Sequence, residues 1–168
     1  MVDGAREPCP GLFKRKSKLS NNMNDFKAQY ANLGINDALP TDPVQKFEVI
    51  YRAACTKLGL HPQDMPDVSR VREKYRASQL AFHKLEVVRD AIVSDREANY
   101  DDRNEEKWGG WFYMNKPGFR FYASRYTYSR ARSTGGSRLC TFSDDDQEFF
   151  MKECIAGWAD FLGGVLPE

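Results

Sequence analysis

The sequence predicts an α+β fold: an N-terminal helical hairpin, a small antiparallel β-sheet and a closing C-terminal helix. Three observations carry this expectation. Apolar residues recur at helical spacing between residues 42 and 94. Aromatic residues crowd the segment 107–142, as they do in strands. A serine followed by three aspartates, Ser143 to Asp146, then opens a last amphipathic stretch, with carboxylates where the helix dipole favours them. A chain of 168 residues is the size of one domain, and 41% hydrophobic with 29% charged residues is the make-up of a chain that folds.

Residues 1–40 hold Pro8, Pro10, the cluster Lys14, Arg15, Lys16, Lys18 and a polar stretch from Ser20 to Asn24, without sustained apolar periodicity. They read as a mobile basic and polar leader, with Met23 offering a second start, ahead of a single α+β domain over 41–168. Asp42 caps the first helix and Pro43 fits its first position, where a missing N–H has no intrahelical partner to lose. Phe47, Ile50, Ala54 and Leu58 form its inner face, and Gly59 ends it in a left-handed cap closed by Leu60. A second helix over Ser69 to Ser94, with Ala81, Leu85, Val88 and Ile92 on one face, completes the helical part, 42–94. Residues 95–106 read as an acidic linker.

The sheet and last helix span 107–164. Trp108 to Met114 and Phe119 to Ser129 read as two strands around the turn Lys116-Pro117-Gly118, and Arg138 to Phe142 as a short third strand. Alternation puts Phe119, Phe121 and Ala123 inward and Arg120, Tyr122 and Ser124 outward. Phe150, Cys154, Trp158 and Phe161 line one face of the final helix, which Gly163-Gly164 stops. The expected core is Phe47, Ile50, Ala54, Leu58, Leu85, Val88, Phe121, Leu139, Phe150, Trp158 and Phe161.

Charge is segregated along the chain. The whole carries a net +1, yet between Lys107 and Cys140 stand Lys107, Lys116, Arg120, Arg125, Arg130, Arg132 and Arg138, seven cations with no carboxylate. Interleaved with them are Trp108, Trp111, Tyr122, Tyr126 and Tyr128. Guanidinium groups for phosphates and flat rings for base stacking are what a single-stranded nucleic acid needs, and these twelve residues are the candidate binding set. The competing reading places alternate rings in the core and pairs the cations with the acidic linker or with Asp144 to Asp146.

No catalytic or metal motif stands out, so the expectation is a binding module that is not an enzyme and carries no cofactor. Cys9, Cys55, Cys140 and Cys154 are too scattered for a zinc site and read as reduced thiols. A Cys140–His83 pair would need hydrogen-bond contact, a Tyr126 or Tyr128 nucleophile lacks a supporting histidine cluster, and Gly135-Gly136 lacks the lysine of a phosphate loop. The aspartate run is explained by capping. No apolar run is long enough to span a membrane, and no apolar leader suggests secretion; the expected location is the cytoplasm, that of a host cell if the chain is viral, or a virion.

The succession Lys107-Trp108-x-x-Trp111-Phe112, Gly118-Phe119-Arg120-Phe121 and Gly136-Ser137-Arg138-Leu139-Cys140, followed by a helix ending near Trp158 to Leu162, resembles a group of short uncharacterised proteins of gut Bacteroidales prophages and crAss-like phages. The segment from Phe47 to Asp67 is similar to what precedes that block in the group, so the resemblance covers roughly residues 45 to 162. The chain departs from the group's pattern at Gly109-Gly110, where a proline often precedes the second aromatic residue. The resemblance implies no activity. It implies a setting in a phage or mobile element, where small proteins handle nucleic acid, serve as virion components or bind host proteins to counter defence.

Overall fold

The computed structural model describes residues 26–102, 104–114, 118–127 and 136–166, with the backbone alone at 125–127, 136 and 137. The elements run α1 (Lys27–Asn32), α2 (Pro43–Leu58), α3 (Glu73–Val93), β1 (Lys107–Tyr113), β2 (Arg120–Thr127), a 3-10 turn (Gly136–Leu139), α4 (Asp144–Glu153) and α5 (Ile155–Leu162). This is the α+β architecture the sequence predicts.

The capping chemistry explains where α2 begins and ends. Asp42 accepts a hydrogen bond from the Gln45 amide at 2.8 Å, and Gly59 sits at φ 69° while the Leu60 amide reaches back to the Cys55 carbonyl at 2.8 Å. Leu60 itself stays exposed. At α4 the Ser143 hydroxyl accepts from the Asp146 amide, with three aspartates in the first turn. α2 packs on α3, α5 packs on both, and α4 bridges to the two strands. The core that results contains Phe47, Ile50, Ala54, Leu85, Val88, Leu139, Phe150 and Trp158 as expected, with Leu58, Phe121 and Phe161 packed partly buried at its margin.

Four expectations need correction. The leader does not extend to residue 40: α1 docks, burying Tyr30 and Leu33, and the Tyr30 hydroxyl donates to the Glu153 carboxylate while its ring meets Phe149 edge-on. α3 starts at Glu73 and not at Ser69, because Asp67 and a turn from Val68 to Val71 engage the preceding amides. The third strand reduces to one bridge, in which Thr141 exchanges two backbone hydrogen bonds with Trp108 at 2.9 and 3.1 Å; the residues before it coil into the 3-10 turn. The last helix is two, since Cys154 leaves helical geometry at φ −99°, ψ 25°.

Two glycines permit close packing that the periodicity does not announce. A Cβ on Gly157 of α5 would lie 2.3 Å from the Phe47 ring, and one on Gly110 of β1 would fall on the Met151 side chain of α4. Gly110 therefore faces the helices. Gly109, with nothing among the described residues within 4 Å of its Cβ position, faces away.

Candidate nucleic-acid interface

The antiparallel hairpin has one face against the helices and one open, and its register decides which side chains lie where. Trp111 pairs with Ala123, Phe112 with Phe121 and Tyr113 with Arg120, so Tyr122 is an extra residue, a β-bulge. A one-residue slip inverts the faces beyond it. Ser124, expected outward, therefore lies opposite Gly110 and hydrogen-bonds to Asp144 at the start of α4, while Ala123 joins Trp111 on the open side. Phe119 and Phe121 point inward as expected: Phe119 is buried and stacks on Phe112 at 4.5 Å, and Phe121 packs partly buried against the core.

The open face gathers four groups. Trp111 is 60% exposed, the Tyr113 and Tyr122 rings meet edge-on at 4.6 Å, and the Arg120 guanidinium lies 4.7 Å over the Tyr113 ring. Met114 is exposed at the same strand end. Arg120 forms no ion pair among the described residues, so its charge faces solvent. The structure thus brings together Trp111, Tyr122 and Arg120 from the sequence-derived set and adds Tyr113. Tyr113 was legible in principle, since it stands two residues after Trp111 on the same strand face.

Other members of the set lie elsewhere. Lys107 occupies the open side of β1, but it is only 2% exposed, because Tyr100, Asp102 and Glu105 close around its side chain. Its ammonium pairs with Glu105 at 3.1 Å, bonds to the Glu105 and Asp102 carbonyls and lies over the Tyr100 ring. Glu105 also takes Arg96 and the Asn99 amide. Burial pushes the Glu105 carboxyl up, but the hydrogen bonds from Lys107, Asn99 and Arg96 outweigh it and hold it below the usual carboxylate range. Tyr100, Asp102 and Glu105 of the acidic segment thus engage the first residue of β1, and Lys107 is a structural cation.

Arg138 is exposed but committed: its Nε lies 2.8 Å from Glu86, and it lines a cleft of about 270 Å³ with Asp90, Asp95 and Glu97, a lining that repels phosphate. Burial raises the Glu86 carboxyl above its ordinary value, partly offset by Arg138. Trp108 is partly buried, its indole N–H donating to Glu106 at 3.2 Å. Arg125 and Tyr126 are placed by backbone register only, opposite Gly109 and Trp108. Lys116, Tyr128, Arg130 and Arg132 lie outside the described residues.

The sequence also passed over Arg89. Its side chain is buried in α3, donates to the Cys140 carbonyl at 2.9 Å and pairs with Asp90 at 2.8 Å, anchoring the segment between the 3-10 turn and α4. Buried Cys140 has the Tyr100 hydroxyl 3.8 Å from its sulfur and no hydrogen bond to His83. Among the described residues no group of His, Cys, Asp or Glu could hold a metal ion, and no helix is long and apolar enough to cross a membrane. Compared with known proteins, the chain matches no family model, no curated protein and no solved structure.

Proposed function

We propose that this is a non-enzymatic accessory protein of a phage or mobile element that binds single-stranded nucleic acid on the open face of its β-hairpin. The observation that carries the reading is an exposed arginine lying on exposed rings: Arg120 over Tyr113, with Tyr122 and Trp111 beside them. Rings accept bases on their faces whatever the sequence, and an unpaired guanidinium next to them meets the phosphate. The mobile-element setting rests on the resemblance of the C-terminal block.

Binding of a thymidine 15-mer, followed by fluorescence anisotropy, tests this. Trp111→Ala should weaken it by about 1–3 kcal/mol, the range for one stacked base. Replacing Arg120 and Arg125 by glutamine should lower the slope of log affinity against log salt by roughly 1.4, at about 0.7 per phosphate. Absence of binding at about 50 mM salt, or binding indifferent to both variants, would overturn the reading. In that event Trp111 on β1 and Met114 just past its end, both apolar and exposed, favour a protein partner, in a virion or in the host, with Trp111 as its anchor.

A further inference from the structure

A second group of cations lies outside the hairpin. Arg70, Arg72, Lys74 and Arg76 are all exposed around the start of α3, and Glu73 is the one carboxylate among residues 69–76. Cations here oppose the positive end of the helix dipole, so helix formation does not ask for them. Arg76 has a structural use, donating to the Val71 and Ser69 carbonyls at 2.9 and 3.0 Å. Arg70, Arg72 and Lys74 form no ion pair among the described residues. Next to Lys74, Tyr75 is exposed, with the Lys74 ammonium 4.7 Å from its ring, the same kind of cation and ring pairing that Arg120 and Tyr113 make on the hairpin.

Two hydrogen bonds connect this end of α3 with the turn end of the hairpin. Ser78 donates to the Phe161 carbonyl at 2.7 Å, and four residues further on the Val165 carbonyl accepts from the Phe119 amide at 2.7 Å, next to Arg120. The start of α3 and the start of β2 thus flank the same C-terminal segment. We infer that Arg70, Arg72, Lys74 and Tyr75 form a second contact for a single-stranded nucleic acid, whose phosphodiester backbone runs from the hairpin rings past residues 161–165 onto the basic start of α3. This rests on the reading of the hairpin given above and extends it from a local stacking site to a track.

The track predicts a length dependence. A thymidine 4-mer occupies the hairpin alone, whereas a 15-mer reaches both contacts. Replacing Arg70, Arg72 and Lys74 together by glutamine should leave 4-mer affinity within about twofold. The same variant should weaken 15-mer binding at about 50 mM salt by at least about 10-fold and lower its salt slope by roughly 2, at about 0.7 per phosphate. An unchanged thermal melt confirms that the exposed substitutions leave the fold intact. A 15-mer affinity and slope unmoved by the triple variant, while Trp111→Ala weakens both oligonucleotides, would overturn the track and leave the hairpin standing. Loss of 15-mer binding in the triple variant alone, with Trp111→Ala and Arg120→Gln silent, would support the α3 contact and remove the hairpin. A wild-type protein that binds neither oligonucleotide would overturn both.

Discussion

Trp158 and Trp111 are the same residue in opposite surroundings, and truncating each to alanine separates the roles assigned to them. Trp158 is 7% exposed; its ring meets Phe150 at 5.1 Å, Phe112 at 5.2 Å and Phe161 at 6.2 Å, and its indole N–H donates to the Phe150 carbonyl at 3.2 Å. Removing it takes away the largest apolar side chain between α5, α4 and the sheet and leaves a cavity walled by aromatic rings, which cannot collapse without moving three elements. Buried Trp→Ala changes cost about 3–5 kcal/mol, and lost ring–ring contacts argue for the upper half of that range. For a domain of this size each kcal/mol is about 2–4 °C, so the melting temperature should fall by roughly 6–20 °C. Trp111→Ala, on a face where the ring covers little, should stay within about 0.5 kcal/mol of wild type. Thermal melts and urea denaturation, both followed by circular dichroism, measure the two variants. A Trp158 variant that melts within about 3 °C of wild type, or a Trp111 variant as damaged as the Trp158 one, would refute the packing argument.

Two further outcomes follow from buried contacts. Glu105 titrates below the ordinary carboxylate value of about 4.3 when folded, so the stability it contributes is complete above that value and is lost as pH falls through the lower folded value; Glu105→Gln should be clearly less stable than wild type at pH 7, with the gap narrowing at pH 3, and an equal gap at both pH values would contradict this. Gly157→Ala gains about 1 kcal/mol of helix propensity but drives a methyl into the Phe47 ring, and overpacking of about 1–3 kcal/mol should leave it net destabilised; partial recovery in a Phe47→Leu background checks the cause.

How much of the fold was readable depended on how local its cause is. α2 was legible at both ends because Asp42, Pro43 and Gly59 act on amides and carbonyls within a few residues of themselves. α1 was not, because six residues show too little periodicity to register, and what holds them is distant: Glu153 for Tyr30 and Asp146 for Gln29. The bridge at Thr141 belongs to the same class. Its side chain and amide are taken by Gln147 of α4 and its backbone by Trp108, so one residue pairs where a strand was expected.

The candidate site shows why charge along a chain is a weak guide to charge on a surface. The count of seven cations between Lys107 and Cys140 includes Lys107, whose partner Glu105 stands two residues before the segment begins, and Arg138, whose partner Glu86 lies far back on α3. Ending the window at Lys107 hid the first carboxylate, and no window shows the second. Arg120 escapes both fates for a geometric reason: it pairs across the hairpin with Tyr113 in the register that the bulge at Tyr122 creates, on the face away from α4 and its aspartates. Without the bulge, the register that pairs Trp111 with Ala123 would set Tyr122 opposite Phe112, on the face against the helices. With it, two rings, their neighbour Tyr113 and one unpaired guanidinium share a surface, which is what a stacking platform requires.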